Sequence, residues 1–116
     1  MIGLPTRTPI YLCTEPIDFR KGFDGLTGVV STFMKQQVTS GALFLFVNRR
    51  QDRIKALWWE TGGLTIWYRR LEKGTVELPK AGSSLTHLKF DQVELAMWIA
   101  GVSLKAAKSR RKRMAA

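Results

Sequence analysis

At 116 residues the chain has room for one domain and one modest core. Apolar residues make up 45% of it, enough to fold, yet no apolar run approaches the roughly 18 residues that cross a bilayer. Lys and Arg outnumber Asp and Glu by 19 to 9, a formal charge of +10 that draws polyanions, nucleic acid above all, and says nothing of fold.

The N-terminal MIGLPTRTPIYLC has no basic region followed by an unbroken apolar one, so no signal peptide is read there. Residues 9–14, PIYLCT, are expected as a short strand ended by Glu15-Pro16. Its Cys13 is the single cysteine, which fits a reducing cytoplasm. In IDFRKGFDGLTGVVSTFMKQQ, Phe19, Phe23, Leu26, Val30 and Phe33 recur at helical spacing, with Asp18 as the expected N-cap. Gly22, Gly25 and Gly28 fall three apart. Each costs roughly 1 kcal/mol of helix propensity, so the helix either breaks near Gly22 or offers a glycine row to an approaching backbone.

ALFLFVN (42–48) is apolar on both alternating faces, as a central strand should be. NRRQD is a turn, RIKALWWE (53–60) a strand, Gly62-Gly63 a hairpin turn and LTIWYRRLEK (64–73) the return strand. Gly74 and Pro79-Lys80-Ala81-Gly82 bound a short TVEL, and 84–90 is expected as a further strand. Asp91 with Glu94 three residues on makes a capping box for DQVELAMWIAG, which Gly101 stops. Leu95, Trp98, Ile99 and Val102 give that helix its apolar face. The expected architecture is α+β: an antiparallel sheet of about four to five strands packed against two helices, residues 1–103 forming one domain. Residues 104–116 form a basic tail, expected to be disordered.

The charge lies in two districts. Residues 49–73 carry seven basic side chains against three acidic ones, interleaved with Trp58, Trp59, Trp67 and Tyr68; from Lys105 onward there are six basic residues and no acid. With Gly62-Gly63 as the turn, Trp59 pairs with Ile66, Trp58 with Trp67 and Lys55 with Arg70. One face then collects Ile54, Ala56, Trp58, Trp67 and Leu71, a core-like set with Arg69 as its only charge. The other collects Arg53, Lys55, Arg70 and Glu72 at one end, with Tyr68, Trp59, Leu57 and Ile66 toward the other. Like charges facing across strands are destabilising, and a phosphate between Lys55 and Arg70 would remove the penalty. Trp59 and Tyr68 are placed to stack on a base or cover a sugar. The structural alternative is that the tryptophans are half-buried and the cations merely solvated. The tail's Lys108, Arg110, Arg111, Lys112 and Arg113 form an arm suited to phosphates or to an acidic partner segment.

Chemistry is hard to place. The single histidine, His87, sits in the alternating SLTHLKF as an ordinary strand residue, and a zinc site would need more Cys and His. There is no phosphate-loop motif and no nucleophile elbow. The nine acids are scattered, so neither a metal nor another cofactor is expected, nor an enzyme.

DFRKGFDGL (18–26), the run RRQDRIKALWWETGGLTIWYRRLEKG (49–74) and the segment ending in Leu78-Pro79 resemble the TnpB accessory proteins of the insertion-sequence-sixty-six transposon family, encoded by its second open reading frame. These are distinct from the RNA-guided nucleases that share the name. Two motifs carry the likeness: Asp18 through Leu26, and Leu57-Trp58-Trp59-Glu60 leading to Gly63. The chain departs at Leu78, where an aromatic residue is expected before Pro79, and in a more basic tail. The resemblance implies a bacterial protein that assists transposition while a separate transposase carries the chemistry. It names no activity. Arg20 and Lys21, read as lying in the first turn of a helix, face an unfavourable dipole there unless a phosphate joins them.

The leading expectation is therefore a non-catalytic accessory factor binding duplex DNA. Its contacts would be Arg20, Lys21, Arg49, Arg50, Lys55, Arg69, Arg70 and the tail on phosphates, with Trp59 and Tyr68 on sugars or bases. The alternative is a module docking on the transposase or another protein of the same element. RNA is a third ligand that the charge would accept.

Overall fold

The computed structural model describes residues 7–79 and 84–105. The elements follow in the order β1 (Ile10–Cys13), α1 (Phe23–Thr32), β2 (Leu43–Val47), β3 (Arg53–Glu60), β4 (Gly63–Arg70), β5 (His87–Phe90) and α2 (Gln92–Ile99), with one 3-10 turn at Val38–Ser40. LFLFV has no solvent face because β2 lies mid-sheet with all five residues buried. The sheet order is β4-β3-β2-β1-β5. The α+β expectation holds: the described residues form five strands, mostly antiparallel, and two helices. β2, β3 and β4 form the meander, and β5 pairs antiparallel with β1. β1 pairs parallel with β2. A parallel pair needs a crossover, and α1 supplies it.

Two apolar layers sandwich the sheet. On one side Ile10, Leu12, Leu43, Leu45, Val47, Ile54 and Ala56 meet Val76, Leu95 and Trp98, with Trp58, Trp67 and Leu71 packed at the margin. The core-like ribbon face is thus core. On the other side Phe44, Phe46 and Leu57 meet Leu26, Val30 and Met34 of α1 and its C-terminal turn, with Phe19, Leu64 and Ile66 beside them. The segment 75–78 is no strand. It is pinned by Val76, whose amide donates to the Gln51 carbonyl at 2.9 Å, and by Trp98, whose indole N–H donates to the Glu77 carbonyl at 2.7 Å.

α2 begins as expected, with the Asp91–Glu94 capping box formed in both directions. It ends in a Schellman turn: Gly101 (φ +89°) donates to Trp98 and Val102 to Met97. α1 does not begin at Asp18. Its N-cap is Gly22, because the Asp18 carboxylate is taken by the Arg20 amide and guanidinium. No backbone fills a glycine row, either. A Cβ at Gly25 would lie 2.9 Å from Cβ of Lys21, whereas Gly22 and Gly28 have nothing within 4 Å.

The hairpin register also differs from the expected one. Thr61 and Gly62, with φ of +49° and +76°, occupy the turn, and Glu60 pairs with Gly63. Positive φ at both central positions is what a two-residue type I′ turn requires. Every pair shifts by two residues: Lys55 faces Tyr68 rather than Arg70, and Arg70 faces Arg53. A shift of two preserves side-chain alternation, so each residue keeps its expected face. The tail is expected to be disordered from residue 104, yet Leu104 packs against the first apolar layer and its amide donates to the Glu77 carboxylate at 2.7 Å; from residue 106 on it lies outside the described residues.

Candidate nucleic-acid interface

The turn between β2 and β3 is built around Asn48, 8% exposed. Its Oδ1 accepts from the amides of Asp52 (3.0 Å) and Arg53 (2.9 Å), and its Nδ2 donates to the Asp52 carboxylate at 2.7 Å. Gln51 takes a positive φ of 60° and its side chain donates to the Val76 carbonyl, anchoring the turn from below. Arg49 and Arg50 are left exposed at its tip. The Asn48 amide, followed by the charges of Arg53 and Arg50, holds the Asp52 carboxyl below its ordinary pKa.

A second wall comes from residues 17–22. Ile17 donates to the Val47 carbonyl at 2.8 Å, and Lys21 donates to the Asp18 carbonyl at 3.1 Å, folding DFRK into a turn. Arg20 forks onto Asp18 at 2.6 Å. That hydrogen bond holds the Asp18 carboxyl down at about 2 and raises Arg20 further.

Lys55 joins this turn to the sheet. It is 7% exposed, and its ammonium donates to the carbonyls of Phe19 and Lys21, both at 2.9 Å. It also lies 4.9 Å from the Phe19 ring centre and 5.1 Å from that of Tyr68. Burial pulls its pKa below the ordinary lysine value. Lys55, expected to meet a phosphate, is instead an internal post: its donors go to backbone carbonyls and the 18–22 turn covers it.

Around this post lie two adjoining concavities. One, of about 610 Å³, is lined by Asp18, Phe19, Arg20, Arg49, Arg50, Arg53 and Tyr68 among others. The second, of about 540 Å³, is lined by Arg53, Tyr68, Arg70 and Glu72. Arg53 and Tyr68 belong to both. Arg70 is held by Glu72 at 2.9 Å, as Arg20 is by Asp18. Arg49, Arg50 and Arg53 have no ion pair within 4 Å among the described residues. Arg53 and Arg70 face each other directly across β3 and β4, a like-charge pair that destabilises the hairpin by itself.

The groove therefore gathers Arg20, Arg49, Arg50, Tyr68 and Arg70 of the expected set. It leaves out several others. Arg69 pairs with Ile54 and points to the opposite face from Tyr68. Trp59 shares the Tyr68 face but pairs with Leu64, roughly 13 Å along the strand from Lys55. Lys21 is exposed, yet it precedes α1 rather than opening it and does not line either concavity. Lys108, Arg110, Arg111, Lys112 and Arg113 lie outside the described residues. Sequence reasoning placed Arg53 on the face of Lys55 and Arg70 but left it out of the expected DNA contacts. Asn48 and Phe19 left no comparable signal.

His87 sits half-buried on β5 with Thr86 Oγ1 2.8 Å from its Nδ1, an ordinary strand position. Among the described residues no three His, Cys, Asp or Glu side chains gather as metal ligands, and no helix is long and apolar enough to cross a membrane.

The comparison with protein families decides the kinship. The IS66 Orf2-like protein family matches residues 8–109. The chain belongs to that family. It is thereby an accessory protein of the IS66 type of transposition, and both motif stretches fall inside the matched region. Among its relatives, the uncharacterized protein y4jC of Sinorhizobium fredii (strain NBRC 101917 / NGR234) is 27% identical over 110 residues, 95% of this chain and 92% of that protein. The uncharacterized protein y4hO of the same strain is 29% identical over 72 residues, 62% of this chain and 63% of its own length. No solved structure matches the chain significantly.

Proposed function

We propose that this IS66 Orf2-like protein assists transposition by binding DNA in the groove around Tyr68, without catalysis of its own. Arg49, Arg50 and Arg53 take backbone phosphates, and Arg20 and Arg70 join from the rims. One observation carries the reading: three separate segments deliver five arginines to two adjoining concavities that share Arg53 and Tyr68. Three of the five have no carboxylate partner among the described residues, and one of these, Arg53, faces Arg70 across the strands, where an anion between them would be favourable. The basic tail adds sequence-independent attraction.

The test is fluorescence anisotropy of labelled DNA across a salt series with the full chain. Each phosphate neutralised contributes about 0.9 to the slope of log K against log salt on duplex and about 0.7 on single strands. Replacing Arg49, Arg50 and Arg53 by Ser should lower that slope by about two to three. Replacing only the five basic residues at 108–113 should leave the groove's share in place. If the triple variant keeps the wild-type slope, the groove is not the DNA site. A transposase complex that survives high salt, with no DNA bound by the accessory protein alone, would replace this reading with protein docking.

A further inference from the structure

We propose that the DNA taken by this groove is unpaired, with one base stacked on Tyr68 and its flanking phosphates on Arg53 and its neighbours. The inference rests on the DNA-binding reading and narrows it to a single-stranded ligand.

The position of Tyr68 carries it. Tyr68 is 52% exposed and lines both concavities, so it stands between them with its side chain open to an incoming ligand. A duplex is convex toward the protein and keeps its base faces stacked inside. Arginines on the rims reach its phosphates, but its stacked bases offer no free face to an exposed aromatic ring. A splayed base does, and every base has a stacking face.

Tyr68 is also held in place before any ligand arrives. Phe19 meets its ring edge-on, with centroids 5.8 Å apart and planes at 81°. The Lys55 ammonium stands 5.1 Å from its centre, itself fixed by two carbonyls. A solvated surface tyrosine loses side-chain freedom when it binds, and these two contacts lower that cost for Tyr68. Arg70 lies two residues beyond Tyr68 on the same face of β4, and Arg53 faces Arg70 from β3, diagonal to Tyr68. An aromatic platform between cations that follow a backbone is the composition of a single-strand site.

The experiment uses the full-length chain and three labelled ligands of about 20 nucleotides. These are a single strand of mixed sequence, the corresponding duplex, and the same single strand with several central abasic positions. The single strand should bind about tenfold more tightly than the duplex at moderate salt, and the abasic strand should lose about as much while keeping the same salt slope. Tyr68→Ala should weaken single-strand binding about tenfold and leave the duplex unchanged, whereas Tyr68→Phe should stay within about twofold of wild type. The abasic ligand leaves the protein unaltered, so a Tyr68→Ala variant that folds poorly does not blunt the test.

Equal affinity for the single strand, its abasic form and the duplex would overturn the inference. Were salt-sensitive binding to persist with no response to abasic sites or to Tyr68→Ala, stacking would fall while phosphate binding stood. Failure of every ligand to bind would remove the DNA reading itself.

Discussion

Asn48→Ala tests whether the arginine turn is shaped by one buried side chain. The amide oxygen of Asn48 accepts two backbone N–H groups, from Asp52 and Arg53, at 3.0 and 2.9 Å. Alanine leaves both donors without that acceptor at a position that is 8% exposed. At about 1 kcal/mol net for each bond the loss is about 2 kcal/mol. For a domain of this size that lowers the melting temperature by about 8 °C. The Asp52 carboxylate is in reach of water, so its bond to Asn48 serves geometry more than stability. Urea titration at neutral pH gives the energy, and the salt slope for DNA gives the consequence for Arg49 and Arg50. The slope should fall toward that of the triple serine variant, because the two arginines lose a fixed direction rather than their charge. Asn48→Asp keeps an acceptor for the two amides but sets its second oxygen against the Asp52 carboxylate, where the amide donated, so it should recover little of the stability at neutral pH. A destabilisation under about 0.5 kcal/mol, or an unchanged slope in a destabilised protein, would show that the flanking strands alone shape the turn.

Two further outcomes are expected. Thr61→Asn should stabilise the chain by about 1 kcal/mol in a urea titration, because a β-branched residue at φ +49° is strained where Asn is tolerated; no gain would argue for a turn at Gly62-Gly63 instead. The Asp18 carboxyl should titrate near 2 by carbon chemical shift, against an ordinary 3.8, and return toward 3.8 in Arg20→Gln. The folded pKa is depressed, so the stability this pair gives is complete above 3.8 and is lost as the pH falls through about 2.

Most of the fold was legible because its signals are local. The continuous apolar run of β2, the Asp91–Glu94 box and the Gly101 stop each need only a few neighbouring residues, and each appears where expected. The start of α1 was not legible. Asp18 carries the side chain of an N-cap, but Arg20 two residues on competes for it and wins as a forked, charge-assisted pair. The hairpin register failed for a related reason. Two glycines in a row suggest the turn between them, and nothing in the sequence says that a threonine will accept a left-handed conformation so that Gly63 can join the strand. Its faces survived because the slip was even. The parallel β1–β2 pair was invisible because alternation within a strand carries no information about the neighbour's direction.

Lys55 was misread for the most instructive reason. Alternation correctly assigned it to the face of Tyr68, but facing away from one core does not mean facing water. The turn from Asp18 to Gly22, more than thirty residues earlier, folds over it and supplies two carbonyl oxygens. Those two oxygens explain why a lysine is suited to the position. A methionine would fill the space between Phe19 and Tyr68 but leave both carbonyls without this donor, and the branched fork of arginine is too wide for a point between two rings. An ammonium on a long stem satisfies both carbonyls and places a positive charge behind the Tyr68 ring. Because that charge is covered, it adds to the field of the groove while being screened less by salt than Arg49 or Arg50 at the turn tip. The groove thus has rim cations that a phosphate can touch and one internal cation that orients the ring and the turn forming its walls. Loss of Lys55 should then weaken binding without removing a counterion from the salt slope, and that separates a residue that positions the site from one that contacts DNA.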